Sequence, residues 1–237
     1  MMGIGVSISN RLLRLALSVA CLSAAAVAQQ PQQTPESKPE PPATKKNARP
    51  AGETEAAEPF DKLTPVQMAG RCVTLETEAG DIVVEVLSEA APESARNFLN
   101  LAATGAFDTT TFSRVVKDFV VQGGNVATRE TLTQGLIRRA SRKVPDEPNP
   151  VKHLRGVVSL ARPAEANAAT THFFILLNDA PHLDGTFAAF GRVRAGLEVV
   201  DKIAAGELDG EKPKNPVRVR RAKVAQCQPA PADPPKK

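Results

Sequence analysis

The most regular alternation of apolar and polar positions lies at residues 71–88. Cys72-Val73-Thr74-Leu75-Glu76-Thr77 alternates, Ala79-Gly80-Asp81 interrupts, and Ile82-Val83-Val84-Glu85-Val86-Leu87 resumes. Period-two runs rich in β-branched residues on either side of a Gly-Asp break predict a hairpin. At Pro92 the spacing becomes helical. Pro fits a first helical turn, Glu93 suits its positive end, and Phe98, Leu99, Leu101 and Ala102 form a stripe ending at Gly105. Strand-like runs follow at 109–116, 119–122, 156–161, 172–177 and 188–193. A second helix over 197–205 turns Val199, Val200 and Ile203 inward and stops at Gly206. The alternating Val217-Arg218-Val219-Arg220, continuing to Val224, closes the pattern. About eight short antiparallel strands with two helices predict a mainly β domain, a barrel or sandwich with helices at its ends.

Two stretches lack any such pattern. Residues 29–59 hold seven Pro and nothing apolar larger than Ala. Such a stretch cannot bury enough surface to offset its ordering entropy, so a disordered linker is expected over 29–69, and a similar tail over 228–237. The folded unit is then 70–227, of single-domain size. Ahead of the linker, Arg11 and Arg14 precede an apolar run from Leu15 to Val27, and Ala26-Val27-Ala28 offers small residues before Gln29. This is the pattern of a signal peptide over 1–28, cleaved on export, and it places the protein in the periplasm or outside the cell. The run is shorter than the roughly 20 residues that span a bilayer. Lipid attachment at Cys21 is the weaker alternative, because the run continues past the cysteine and Ser18 stands where the usual Leu would be.

Composition narrows the classes further. The chain has 237 residues, 42% apolar and 4% aromatic, with no Trp or Tyr. It is neither a collagen repeat, a disulfide-dense mini-protein nor a polytopic membrane protein. A net charge of +4, two units of which belong to Arg11 and Arg14, is too mild for a nucleic-acid partner, and no basic groove with aromatic platforms is visible. The mature chain keeps two cysteines. If the first and last strands are antiparallel neighbours, Cys72 and Cys227 meet, and in an oxidising compartment they form a disulfide closing a loop of 155 residues. The alternative is two free, half-buried thiols. His153, His172 and His182 show no metal-ligand spacing, and there is no phosphate loop or nucleophile elbow, so neither metal nor cofactor is expected. Gly123-Gly124 reads as a turn, and Asp146 and Glu147 as a solvated loop face.

Three blocks carry the chemistry. Thr111-Phe112-Ser113-Arg114-Val115-Val116-Lys117-Asp118-Phe119-Val120-Val121-Gln122-Gly123-Gly124-Asn125 resembles the F-H-R-V-I-x-x-F-M-x-Q-G-G-D signature of the cyclophilins. Gly156-Val157-Val158-Ser159-Leu160-Ala161-Arg162, continuing to Thr171-His172-Phe173-Phe174-Ile175, is similar to the family's G-x-x-S-M-A and S-Q-F-F-I strand pair. His182-Leu183-Asp184-Gly185-Thr186-Phe187 through Phe190-Gly191-Arg192-Val193 is similar to W-L-D-G-x-H-x-x-F-G-x-V. The Ala161-Arg162 pair resembles the bacterial exported branch of that family.

The resemblance implies a closed eight-stranded antiparallel barrel capped by two α-helices, and a peptidyl-prolyl cis-trans isomerase. Rotation about an X–Pro bond loses amide resonance against a barrier of about 18–20 kcal/mol. No bond is made or broken. The enzyme has to seat the proline ring and favour the twisted amide, whose nitrogen gains a lone pair that a charged, rigid donor fork can meet. Arg114 matches the family's catalytic Arg, and Gln122 the amide that orients it. Phe119, Val120, Phe174 and Leu183 match the proline pocket, while Ala161 and Arg162 match positions that contact substrate backbone. His172, Phe187 and His182 complete the substrate-binding set but depart from the family's Gln, His or Tyr, and Trp, and Val120 replaces Met. His172 is expected to titrate near neutral pH. Outside the motifs, each apolar residue here would read as core, and Arg114 as a strand Arg paired to an acid. The implied partners are X–Pro segments of unfolded or exported proteins, and the implied state is a monomer. Two rival readings remain: a proline-peptide binding or chaperone module with little turnover, and a tethered scaffold barrel with no proline preference.

Overall fold

In the computed structural model, which describes residues 57–228, the 71–88 pattern folds as the hairpin it predicts. The leader, the linker up to residue 56 and the tail beyond 228 lie outside the described residues. The linker was expected to extend to 69, but by residue 57 the chain is already part of the folded body. Phe60 and Met68 are buried, Glu58 pairs with Arg139 at 2.5 Å, and a one-turn helix α1 (Pro65–Met68) is held by a capping box between Thr64 and Gln67. The reason is apolar content: Phe60, Leu63 and Met68 supply what residues 29–59 lack.

Strands β1 (Arg71–Thr77) and β2 (Gly80–Val86) pair antiparallel with Leu75 opposite Ile82, and Val73, Leu75, Ile82 and Val84 are fully buried. Helix α2 (Pro92–Ala103) buries Phe98, Leu99, Leu101 and Ala102. It ends in a Schellman motif: Gly105, at φ +70°, donates to the Ala102 carbonyl, and Ala106 to that of Leu101. Its first turn has no cap from its own N-cap residue, Ala91. Instead Glu147 accepts from the Glu93 and Ser94 amides at 2.9 and 2.7 Å. Glu147, read as part of a solvated face, is therefore a remote cap on the positive end of α2.

Strands β3 (Arg114–Val116) and β4 (Val120–Gly123) form a second hairpin. A short helix α3 (Gln134–Ala140) follows, capped by Thr133. Then come β5 (Val157–Leu160), β6 (Phe173–Leu176), β7 (Ala189–Ala195) and α4 (Leu197–Ala204), which buries Val199, Val200 and Ile203. A small hairpin of β8 (Leu208–Asp209) and β9 (Lys212–Pro213) precedes β10 (Val219–Gln226). The described residues thus hold four α-helices where two were expected. Those unforeseen, α1 and α3, span four and seven residues, too short for an apolar period to register.

Eight strands make one antiparallel sheet in the order β10-β1-β2-β7-β5-β6-β4-β3. The closed barrel that was expected is not closed by a strand ladder, because the edge strands β3 and β10 do not pair. The segments just ahead of them meet at one isolated bridge, Thr111 to Arg218, flanked by a 3.0 Å bond from the Phe112 amide to the Val217 carbonyl. Of the expected strand at 109–116 only Arg114–Val116 is extended as β3; the segment starts left-handed at Thr109, with a φ of +59°, and Thr111 makes only the isolated bridge. At the other end of β10 the ladder to β1 runs to the pair Arg71–Gln226, and the next residues form the Cys72–Cys227 disulfide.

Alternation along β6 gives the sheet two apolar faces. Phe173 and Ile175 enter the main core, where Phe173 meets the Phe98 ring edge-on at 5.2 Å. Phe174 and Leu176 belong to a separate cluster with Val120, Leu183 and Ala189. Gly124 is more than the turn residue it resembled. At φ +80°, a Cβ there would lie 2.2 Å from the Thr171 carbonyl, so only Gly lets the end of β4 approach the lead-in to β6.

Candidate active site

Register builds the site. Arg114 pairs with Gln122, Gln122 with Phe174, and Phe174 with Ser159, a single row across β3, β4, β6 and β5. Directly opposed residues share a face of the sheet. Above this row lies a hollow of about 170 Å³ lined by Arg114, Phe119, Val120, Gln122, Ala161, Arg162, Phe174, Leu183 and Phe187. Pockets for drug-sized ligands run to about 300–1,000 Å³, so this one suits a single side chain. Val120, Phe174 and Leu183 are buried apolar walls, while Arg114 and Gln122 are the polar groups on one rim. Phe187 meets Phe174 edge-on at 5.8 Å and carries the Arg162 guanidinium over its ring at 5.1 Å. Arg162 also reaches Asp146 at 3.5 Å, so Asp146, too, is engaged rather than simply solvated.

A larger cleft of about 350 Å³ lies elsewhere, walled by Lys117, Asp118, Arg155, Asn178 and Asp201 together with Leu177, Ala204 and Ala205. Two of its charges are spent on each other, Arg155 binding both Asp201 oxygens at 2.7–2.8 Å. It contains none of the assigned site residues.

Nine of the eleven catalytic and substrate-binding residues expected from the motifs line the hollow. His172 and His182 do not. The His182 ring stands 5.5 Å from that of Phe119, at the outer rim. His172 contributes its carbonyl, which accepts the Ala161 amide at 2.9 Å. Burial pushes the His172 imidazole below its usual 6.5, so it is neutral at pH 7 rather than titrating there.

Arg114 is held at two points. Its Nε donates to Glu211 Oε2 at 2.7 Å and its Nη1 to Gln122 Oε1 at 3.3 Å. Glu211 lies in the turn between β8 and β9, whose backbone docks on β3 through the Val115 amide and the Glu211 carbonyl at 2.8 Å. Arg114 thus combines the strand Arg paired to an acid with the donor at the edge of an apolar hollow. Glu211 was missed from sequence because it lies 97 residues from Arg114, in a turn with no pattern to flag it.

A buried polar chain lies behind the pocket wall. His153 Nδ1 is 3.2 Å from Asp184 Oδ1, and its Nε2 is 3.0 Å from Ser159 Oγ. The neutral tautomer that satisfies both donates from Nδ1 and accepts at Nε2. Burial lowers the His153 pKa despite the carboxylate. The His153 backbone amide, then the Lys152 ammonium, bring Asp184 down to about 2. His153 and His172 stay neutral in the fold while the unfolded chain takes protons near 6.5, so stability is complete above that pH and declines below it. The contribution of Asp184 is present above 3.8 and is lost as pH falls towards 2. Thermal midpoints are expected to drop first as pH falls below about 6.5 and again below about pH 4. In a His153→Gln variant the first drop should shrink; an unchanged profile would contradict the assignment.

These motifs extend to the whole domain. Residues 72–224 match the family described as cyclophilin type peptidyl-prolyl cis-trans isomerase/CLD. The chain belongs to the cyclophilin-type peptidyl-prolyl isomerase family. Among curated relatives, the peptidyl-prolyl cis-trans isomerase cypE of Dictyostelium discoideum is 34% identical over 157 residues, covering 65% of this chain and 98% of that one. The peptidyl-prolyl cis-trans isomerase A of Dickeya dadantii is 32% identical over 164 residues, covering 64% and 83%. Among solved structures, a cyclophilin-type isomerase of Cryptosporidium parvum, crystallised in the presence of the dipeptide Ala-Pro, is 26% identical with a TM-score of 0.57, covering 65% of this chain and 98% of its own. The cyclophilin match begins at the disulfide cysteine of β1 and ends within β10, so it includes every residue that lines the hollow.

Proposed function

We propose that this cyclophilin speeds proline-limited folding of exported proteins, acting as a monomer in the periplasm or outside the cell after its leader is removed. The proline ring enters the hollow between Phe119, Val120, Phe174 and Leu183, while the chain on either side lies along Ala161, Arg162 and Gln122. As the X–Pro amide twists, its nitrogen becomes pyramidal and accepts a hydrogen bond from the Arg114 guanidinium. That bond exists only in the twisted state, so it lowers the barrier rather than merely tightening binding. A 10⁵-fold acceleration needs about 7 kcal/mol, more than one hydrogen bond supplies, so the apolar seat and the backbone contacts share the work.

The observation that carries this reading is the convergence of nine motif residues, from β3 round to the loop before β7, on one apolar hollow with a guanidinium at its rim. The Ala-Pro dipeptide named with the Cryptosporidium relative supports X–Pro peptides as the ligand class. Exchange NMR between the cis and trans forms of an Ala-Pro peptide, with protein at catalytic concentration, tests it. Accelerated exchange supports the enzyme. Binding shifts without acceleration would favour a binding or chaperone module, the outcome that His172 and Phe187 would explain.

A further inference from the structure

The catalytic proposal for Arg114 leaves one neighbour without a role. Glu211 comes from a hairpin outside the main sheet, and no motif calls for a carboxylate there. Its backbone carbonyl already docks the turn on β3, so the side chain is not needed to hold the turn in place. The Arg114 and Glu211 side chains are 42% and 56% exposed, and ion pairs so exposed contribute little to stability. What the carboxylate does fix is orientation. A guanidinium is planar, and acceptors on Nε and Nη1 together set both its plane and its direction. With Glu211 on Nε and Gln122 on Nη1, Arg114 Nη2 has no hydrogen-bond partner among the described residues, on a side chain that lines the hollow.

We propose that Glu211 is a positioning residue for isomerisation: it clamps Nε of Arg114 so that the fork is aimed at the hollow before substrate arrives. The inference rests on the role proposed for Arg114. An arginine has several free torsions, and a preset one loses less freedom in reaching the twisted amide. The opposite reading, a carboxylate that occupies the guanidinium and must be displaced by substrate, predicts the opposite sign.

The test uses the full chain with Glu211→Ala, Glu211→Gln and Arg114→Ala, measured on one Ala-Pro peptide. Glu211→Ala should lower kcat about three- to tenfold with KM changed less than about twofold. Glu211→Gln, which keeps an acceptor oxygen, should recover part of that loss. Thermal midpoints should not move, and the Arg114 Nε–H resonance, protected from solvent exchange in the wild type, should exchange faster in Glu211→Ala. A kcat that is unchanged or raised in Glu211→Ala overturns the proposal, as does a loss that tracks a fall in melting temperature. A slow Arg114→Ala beside a fast Glu211→Ala overturns this inference alone. An Arg114→Ala enzyme as fast as the wild type overturns both it and the reading on which it rests.

Discussion

Replacing Arg114 with Ala is expected to lower kcat/KM at least tenfold in a proline-isomerisation assay, with the fold intact. A hydrogen bond from a charged donor is worth about 1.5–3 kcal/mol, and each 1.4 kcal/mol lost from the transition state is a factor of about ten. Because the proposed bond would form only with the pyramidal nitrogen, most of the loss should fall on kcat rather than KM. Stability should barely change, since Arg114 is partly exposed and both its partners are at the surface or rim. Arg114→Lys should not restore the rate, because an ammonium cannot bridge Gln122 and the substrate with a rigid fork. Wild-type turnover in Arg114→Ala would remove the assigned role.

The largest effect on stability should come from the Cys72–Cys227 bridge. It ties β1 to β10 across 155 residues of sequence, and the chain-entropy account assigns a loop of that length about 5 kcal/mol. Single domains have only about 5–15 kcal/mol in all, so Cys227→Ser should lower the melting temperature on the order of 10–15 °C. Activity measured well below the transition should be almost unchanged, since no residue lining the hollow lies on β1 or β10. A shift of under about 2 °C would mean that the terminal strands are held by their ladder alone.

What the sequence revealed about the site and what it concealed differ by the range of the interactions. The β1–β2 hairpin, α2 and α4 were legible because local periodicity decides which face of each is buried. The hollow was legible because its walls fall in three contiguous blocks whose strands pair side by side. Contacts that join distant stretches left no local trace. Glu147 caps α2 from 53–54 residues away, Glu58 answers Arg139 from 81, and Glu211 reaches Arg114 from 97. Each is one carboxylate in a polar stretch, indistinguishable from a solvated one until the fold places its partner. The gap between β3 and β10 was hidden for another reason. β-branched composition made 109–116 look like one continuous strand, but its first residue is left-handed and Thr111 pairs only through the isolated bridge to Arg218. His172 and His182 matched by position in the motif, but a motif does not show that neither lines the hollow.

The central claim is that the space beneath Arg114 receives proline, and a structure of this chain with bound Ala-Pro tests it most directly. The pyrrolidine ring is predicted to rest against Phe119, Phe174 and Leu183, with the imide nitrogen facing the Arg114 guanidinium. A dipeptide bound instead in the Arg155–Asp201 cleft, or in the predicted hollow with its imide turned away from Arg114, would contradict it.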